Sequence, residues 1–149
     1  LAIGNGMALS CRIVGQDFRV FVLLSDGECN EGSVWEAAMF AAHKKLNNLT
    51  AIIDFNKWQA TGRSQDIIQL NPLVDKWLTF GWDAIEIDGH DHLNLEQELL
   101  KTNSLKPRVL VAHTIKGKGI SFMEDDNNWH YRIPSAQEVL DSKKELGLL

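Results

Sequence analysis

The sequence has 149 residues, of which 44% are hydrophobic and 23% are charged, so it is long and apolar enough to build one domain with a real core. Its formal net charge of -5 and the lack of a dense Lys/Arg run argue against a nucleic-acid partner. Its apolar runs are too short to span a bilayer, no signal-peptide pattern opens the chain, and two cysteines do not make a disulfide framework. We therefore expect a cytoplasmic protein without membrane association.

No internal repeat, low-complexity tract or shift in composition divides the chain, so residues 1–149 are interpreted as a single domain. Its first residues are small and apolar and predict a helix that ends near Val14. The largely apolar run from Asp17 to Leu24 predicts a strand of a sheet that is covered on both faces. Strands and helices alternate along the rest of the chain, which indicates an α/β fold with a mainly parallel sheet and helices on both faces.

Polar residues follow two apolar strands of this pattern. Asp26 comes directly after the first strand, and Asn56 lies thirty positions later, just past the apolar run Leu49 to Ile53. Between them, the stretch from Ser33 to Leu46 has helical composition. A crossover of this length normally joins parallel neighbours, so both side chains should emerge at the carboxyl edge of the sheet, where open parallel sheets bind ligands.

The residues at this predicted edge suit one magnesium ion. Magnesium prefers oxygen ligands and usually keeps water and phosphate oxygens beside one or two protein ligands. Asp26, Asn56 and one backbone carbonyl would leave room for a diphosphate, and Gly27 lets the backbone approach its phosphates. The alternative is that Asp26 and Asn56 are ordinary loop residues, since Asp, Asn and Gly favour turns for local reasons.

The helix between the two strands carries its own start and stop signals. Ser33 and Glu36 fit a capping box, with Ser33 as the N-cap and Glu36 at the third helical position. Lys44 and Lys45 suit the negative end of the helix. Glu36 therefore has a sufficient structural role as a cap.

The middle of the chain predicts a polar loop and then a short helix. The loop runs from Gln59 to Gln69, and the helix begins at Asn71-Pro72 and ends near Phe80. Trp77, Phe80 and Trp82 cluster around the end of this helix. Large aromatic side chains of this kind are more often core residues than cofactor-stacking residues, so we expect them in the core.

The second half of the chain continues with a strand, a helix and a strand. These elements are predicted at Trp82 to Ile87, Leu93 to Asn103, and Arg108 to Thr114. Two histidines, His90 and His92, lie beside aspartates before the helix, but no thiolate accompanies them. Asp91 fits the N-cap position there, which favours a cap over a zinc site.

Glycines and lysines alternate directly after the last strand, in the loop from Lys116 to Gly119. The glycines allow a tight loop, and the lysines can meet phosphate as point charges. Trp129 and His130 follow about ten residues later. A second capping box, Ser135 to Glu138, then starts a terminal helix that Gly147 can end.

The first set of motifs resembles the transketolase family. Asp26 and Gly27, followed after about thirty residues by Asn56, are similar to the thiamine diphosphate motif, and the Glu31-Gly32 pair narrows the resemblance to transketolases. The resemblance implies a thiamine diphosphate-binding fold. It also implies that Asp26, the Asn56 side chain and the carbonyl of Trp58 ligate magnesium, with calcium as a possible substitute, and that the Gly27 amide faces the diphosphate.

The later motifs extend the resemblance over essentially the whole chain. The loop from Lys116 to Gly119 and the Trp129-His130 pair are similar to a family segment in which the histidine contacts both the cofactor diphosphate and the ketose substrate, which implies that role for His130. The chain departs from the family at Ser25 and Tyr131, where glycine is usual. Family glutamates that match Glu31 and Glu36 lie at a dimer interface and connect two cofactor sites.

The resemblance implies transfer of a two-carbon ketol unit from a ketose phosphate to an aldose. In the family, a separate pyrimidine-binding domain completes the site, and the segment before the opening helix supplies further histidines. We therefore expect this chain to lack the N-terminal part of its domain, to need a pyrimidine-binding domain or subunit, and to assemble as a homodimer or heterotetramer. Two alternatives remain: a 1-deoxy-D-xylulose 5-phosphate synthase-like enzyme, and a non-catalytic interaction or regulatory subunit with a degenerate site.

Overall fold

A computed structural model describes residues 1–102 and 105–149 of the chain. Its centre is a parallel sheet in the spatial order β1-β2-β6-β5. The strands of this sheet are β1 (Val20–Ser25), β2 (Leu49–Phe55), β5 (Asp83–Asp88) and β6 (Arg108–His113). A separate antiparallel ladder pairs the two-residue strands β3 (Trp58–Gln59) and β4 (Gly62–Arg63).

Helices connect these strands and pack on them. The α-helices are α1 (Ala2–Ile13), α2 (Gly32–His43), α3 (Ser64–Ile67), α4 (Leu73–Thr79), α5 (His92–Leu100) and α6 (Ala136–Glu145). Short 3₁₀ turns occupy Gly27–Asn30 and Asn127–His130. No helix in residues 1–102 or 105–149 combines the length and the apolar character that a membrane crossing needs.

Both faces of the sheet carry helices, as predicted. On one face, α1, α2 and α4 pack against side chains of the sheet such as Leu24, Ile53 and Val111, which are almost completely buried. On the other face, Leu95 and Leu99 of α5 pack against the end of the sheet formed by β5 and β6. Because the central strands are covered from both sides, their sequences are continuous apolar runs rather than alternating ones.

The predicted aromatic cluster lies in the core, which confirms the sequence interpretation. Trp77 and Trp82 are fully buried, with ring centroids 4.8 Å apart in an edge-to-face arrangement. The Trp82 indole donates a hydrogen bond to the Ala38 carbonyl at 2.9 Å. Phe80 packs on Trp35 of α2 at 5.1 Å, so the cluster fixes the end of α4 against α2.

The capping box predicted for α2 is wrong. The helix begins at Gly32 with Glu31 as its N-cap, and no side-chain capping bond is formed there. The 3₁₀ turn Gly27–Asn30 is followed by Glu31 in an extended conformation, and the helix begins at the next residue, Gly32. An N-cap at Ser33 would have placed the first helical residue at Val34, two positions later. Glu36 is exposed within the helix. Because the N-cap is Glu31 and not Ser33, Glu36 does not occupy the third position of a capping box.

The other differences concern element ends and one loop. The loop predicted from Gln59 to Gln69 contains the β3–β4 hairpin and α3. Helix α5 begins at His92 with the predicted cap, since the Asp91 carboxylate accepts from the Asn94 amide at 3.0 Å, but it ends at Leu100. The predicted end at Asn103 lies outside the described residues. The capping box that begins at Ser135 is present.

Candidate functional site

The carboxyl ends of β1 and β2 bring the two predicted oxygen ligands to one edge of the sheet. Ser25 of β1 pairs in register with Asp54 of β2, and Asp26 and Asn56 follow shortly after these positions. Asp26 is completely buried. The loop after β2 folds back over it, because the Lys57 amide donates to Asp26 Oδ2 at 3.1 Å. The topology predicted from the sequence is thus the one that assembles this edge.

Asp26 is a buried carboxylate with one unpaired oxygen. Its Oδ2 accepts from the Ser64 hydroxyl at 2.6 Å as well as from the Lys57 amide. Its Oδ1 is buried and has no hydrogen-bond partner in the described part of the chain. Burial raises the pKa of Asp26, and the repulsion of Asp54 adds to this, while the hydrogen bonds from Ser64 and Lys57 oppose the shift. A buried unpaired oxygen of this kind is costly unless a ligand satisfies it.

Asn56 lies beside Asp26 with its amide held at both ends. Its Nδ2 donates to Asp54 Oδ2 at 3.1 Å, and its Oδ1 accepts from the Trp58 amide at 2.9 Å. Lys57, between Asn56 and Trp58, has a positive φ of 69° and turns the chain at this point. The structure therefore collects Asp26, Asn56 and the turn through Trp58 at a single place.

The donor set fits a hard cation that is shared with a phosphorylated ligand. It offers one carboxylate, one amide oxygen and the backbone of the Trp58 turn, and such an incomplete shell suits magnesium or calcium with additional phosphate and water oxygens. Within residues 1–102 and 105–149, no group of three or more His, Cys, Asp or Glu side chains could hold a metal ion. His90 and His92 are therefore not part of such a group.

The role of Gly27 as a phosphate contact remains a prediction, because its surroundings in the structure do not explain why glycine is present. Gly27 opens the 3₁₀ turn directly after Asp26. A Cβ at this position would approach Gln59 Cγ to 3.5 Å, which is ordinary van der Waals contact. Packing within the described residues therefore does not itself require glycine here, and close approach of a ligand to the backbone remains the reason that the sequence suggests.

Glu31 and Glu36 are both exposed at the start of α2. Glu31 Oε2 accepts a hydrogen bond from the Ser33 hydroxyl at 3.3 Å. Because both carboxylates face outwards, each is accessible to a second protein chain. Their role at an interface, which the family resemblance implies, stays a prediction.

His130 lies in the 3₁₀ turn Asn127–His130, and it is exposed. Its ring packs on Tyr131 with a centroid distance of 4.5 Å. The segment is attached to the β3–β4 hairpin, because the Asn127 side chain donates to the Ala60 carbonyl at 3.2 Å. The hairpin that follows the Asn56 turn therefore also supports the segment that carries His130.

A cluster of Trp58, Arg63 and Asp125 strengthens this attachment and was not predicted. The Trp58 indole donates to Asp125 Oδ1 at 2.8 Å, and Arg63 binds both carboxylate oxygens at 2.7 and 2.5 Å. The guanidinium also stacks 3.7 Å above the Trp58 ring. The two sides of the cluster are more than sixty residues apart, so no local sequence signal could reveal it.

The ion pair at Asp125 predicts a pH-dependent contribution to stability. Hydrogen bonds from Arg63 and then Trp58 lower the pKa of Asp125 from 3.8 to about 2. Because the folded-state pKa is depressed, this contribution is present above about pH 4 and is lost as the pH falls towards 2. We expect Asp125→Asn to lower the thermal midpoint slightly at pH 6 and to converge on the parent chain as the pH falls through about 2. Asp126→Asn is the matched control, and equal midpoints of Asp125→Asn and the parent at pH 6 would contradict the assignment.

A groove of about 570 Å³ lies between the sheet edge and the lysine-glycine loop. Asp54, Asn56, His90, Lys116 and Lys118 are among its lining residues. The loop is tightly folded, because a Cβ at Gly117 would come within 2.5 Å of the Met123 carbonyl oxygen and φ there is +73°. The groove therefore joins the candidate cation site to two lysines that can meet phosphate oxygens.

Fold and site together define an α/β domain with a candidate site for a phosphorylated cofactor at the carboxyl edge of a parallel sheet. The family model described as transketolase, thiamine diphosphate binding domain, matches residues 12–149. The chain therefore belongs to the transketolase family, in which it is a thiamine diphosphate-binding domain.

Two curated relatives are about twice as long as this chain. One of the subunits of the apulose-4-phosphate transketolase of Phocaeicola vulgatus is 39% identical over 150 residues, which are 99% of this chain and 53% of that protein. The SqwG subunit of the 6-deoxy-6-sulfo-D-fructose transketolase of a Clostridium species is 44% identical over 121 residues, 80% of this chain and 44% of that protein. The chain thus spans about half the length of these relatives.

Solved transketolases share the fold. The enzyme of Campylobacter jejuni superposes on 98% of this chain with a TM-score of 0.88 and 26% identity, and 24% of that longer chain is covered. The transketolase of Leishmania mexicana has a TM-score of 0.84 over 98% of this chain and 23% of its own, and at 22% identity it supports the fold alone. The predicted parallel α/β fold is thereby confirmed.

Proposed function

We propose that this chain is the diphosphate-binding part of a magnesium-dependent transketolase that transfers a two-carbon ketol unit from a ketose phosphate to an aldose. One observation carries the proposal: Asp26 is fully buried with Oδ1 unpaired, while the Lys57 amide, next to Asn56, donates to its other carboxylate oxygen. A carboxylate that was only structural would be expected to have both oxygens satisfied. The unpaired oxygen supports a cation that also binds the cofactor diphosphate.

The proposed ligand set uses Asp26, the Asn56 oxygen and the Trp58 carbonyl to hold magnesium, which calcium could replace. The Gly27 amide and His130 contact the diphosphate, and His130 also contacts the ketose. When bound, the thiamine cofactor supplies the electron sink of the reaction. The protein residues contribute binding, orientation and charge compensation.

The proposed assembly needs a second, pyrimidine-binding domain or subunit. The chain covers about half of two relatives whose names describe them as subunits of transketolases. Glu31 is exposed at the start of α2, where its carboxylate can contact a second protein chain at an interface that connects two cofactor sites. We infer a homodimer or a heterotetramer in the cytoplasm. The substrates are sugar phosphates, a class that includes the apulose 4-phosphate in the name of one relative.

The two alternatives from the sequence have less support. Three of the relatives are named as transketolase subunits or as a transketolase-like protein. Their names therefore favour ketol transfer over deoxyxylulose phosphate synthesis. A non-catalytic protein would gain nothing from keeping a buried carboxylate with an unpaired oxygen, because such a group lowers the stability of the fold. The retained Asp26 therefore favours a cofactor site that is in use.

A calorimetric titration tests the proposal. We expect thiamine diphosphate to bind the chain only when magnesium is present, and Asp26→Ala and Asn56→Ala each to lose this binding. Asp88→Ala is the matched control, because Asp88 ends β5 at the same sheet edge and accepts from the His90 amide without touching Asp26. Magnesium-independent binding, or full binding by the Asp26 and Asn56 variants, would contradict the proposed site.

A further inference from the structure

Asn56 can hold a cation only through its amide oxygen. The two ends of a side-chain amide have nearly the same shape, but the nitrogen carries two hydrogens and repels a cation. In this structure Nδ2 donates to Asp54 Oδ2 at 3.1 Å. An ionised carboxylate can only accept hydrogen bonds, so the end of the Asn56 amide that faces Asp54 must be the nitrogen. The amide oxygen therefore points away from Asp54.

Asp54 is itself held from the neighbouring strand. Its second oxygen, Oδ1, accepts a hydrogen bond from the hydroxyl of Thr114. Thr114 directly follows β6, and the register of β2 with β6 pairs Phe55 with His113, which places Thr114 next to the end of β2. The Thr114 amide also donates to the Phe55 carbonyl at 3.4 Å. Two adjacent strands of the sheet therefore fix the position of the Asp54 carboxylate.

The hydrogen bonds around Asn56 have one consistent direction. Thr114 and the Asn56 nitrogen both donate to Asp54, while the Trp58 amide donates to the Asn56 oxygen at 2.9 Å. A flipped Asn56 amide would place donor against donor at Trp58 and acceptor against acceptor at Asp54. The carbonyl oxygen still has a second lone pair beyond the one that Trp58 uses.

We propose that Asp54, anchored by Thr114, is the positioning residue that orients the Asn56 amide oxygen towards the cation. The inference rests on the proposed function, since it assigns no separate ligand. Both oxygens of Asp54 accept from protein donors, whereas Asp26 keeps one oxygen unpaired. Asp54 therefore acts through Asn56 and not as a metal ligand. Partners that orient a ligand in this way typically change metal affinity by about 10- to 100-fold when they are removed.

Two matched pairs of variants test this assignment in the full chain. Thr114→Val removes the hydroxyl while keeping the side-chain shape, and Thr114→Ser keeps the hydroxyl. Asp54→Ala removes the acceptor, and Asp54→Asn keeps an acceptor oxygen while removing the charge. With thiamine diphosphate present, we expect magnesium affinity to fall by about 10-fold or more in the Val and Ala variants. The Ser and Asn variants should stay within roughly threefold of the parent.

A second readout needs no metal. In the ¹⁵N spectrum of the cofactor-free chain, the Asn56 side-chain amide should exchange slowly with water, and the exchange should accelerate in Asp54→Ala but not in Thr114→Ser. Backbone spectra of each variant report whether the fold is intact. Unchanged exchange in Asp54→Ala would overturn the assignment. An equal loss of affinity in Asp54→Asn and Asp54→Ala would do the same, because it would point to charge rather than orientation.

The outcomes separate the two levels of the proposal. If the folded parent chain binds no magnesium in the presence of thiamine diphosphate, the proposed cofactor site fails and the role of Asp54 fails with it. If the parent binds and Thr114→Val matches Thr114→Ser, the cofactor site stands and only the positioning role is overturned.

Discussion

Asp26→Asn is expected to stabilise the cofactor-free chain and to abolish its magnesium-dependent binding of thiamine diphosphate. The carboxylate is completely buried with one unpaired oxygen, and burial is the main cause of its raised pKa. Asparagine removes the buried charge and keeps an oxygen that can accept from Ser64 and the Lys57 amide. We expect a gain of about 1 kcal/mol in the free energy of unfolding at neutral pH.

The pH dependence of this gain has a definite sign. Because the pKa of Asp26 is raised in the folded state, its contribution to stability is greatest when it is protonated and is lost as the pH rises. The advantage of Asp26→Asn should therefore be small near pH 4 and grow towards pH 7. Denaturant unfolding at several pH values measures it, with Asp88→Asn as the control. A variant that is less stable than its parent at pH 7 would mean that the carboxylate already has a partner in the folded chain.

With magnesium and thiamine diphosphate added, the parent chain should become more stable than Asp26→Asn, the reverse of their order without cofactor. A ligand that binds only the folded state stabilises it by about 2.7 kcal/mol at 100 times its dissociation constant. The parent chain should gain this stabilisation from magnesium and thiamine diphosphate together, and Asp26→Asn should gain none. Asp26 would thus lower the stability of the cofactor-free chain while making cofactor binding possible, as is common for functional residues.

The fold was predictable where local signals are strong. Long apolar runs indicated the strands, and the length of the connection between β1 and β2 predicted that they are parallel neighbours, as they are. The insertion of β6 between β2 and β5 was not predictable, because it depends on α5 packing against the second face of the sheet. The cap of α2 was missed for a similar reason, since the preceding 3₁₀ turn changes where the helix starts.

Some residues of the candidate site could be predicted from the sequence, and others could not. Asp26 and Asn56 could be singled out because each directly follows a recognisable strand. Ser64 donates to Asp26 from 38 positions away, and Thr114 donates to Asp54 from 60 positions away. These supporting residues depend on the hairpin after Trp58 and on the adjacency of β2 and β6, so only the assembled fold reveals them.

The chain alone is expected to show no ketol transfer, and addition of a pyrimidine-binding transketolase partner is expected to produce it. The proposed site occupies one sheet edge, where Asp26 is buried, and His130 is exposed. In the resemblance on which the proposal rests, the glutamate that activates the aminopyrimidine ring comes from the other domain. A site without this glutamate would hold the cofactor but would not activate it.

A coupled assay with a ketose phosphate donor and an aldose acceptor measures this directly. We expect turnover only when both proteins, magnesium and thiamine diphosphate are present. In that complex, His130→Ala should lower kcat/KM by about 100-fold or more, because its imidazole would contact both diphosphate and ketose. Asp26→Asn should assemble with the partner yet stay inactive, which separates loss of the cofactor from loss of the interface. Turnover by the purified, uncontaminated chain alone would show that the described domain already contains a complete site and would overturn the need for a partner.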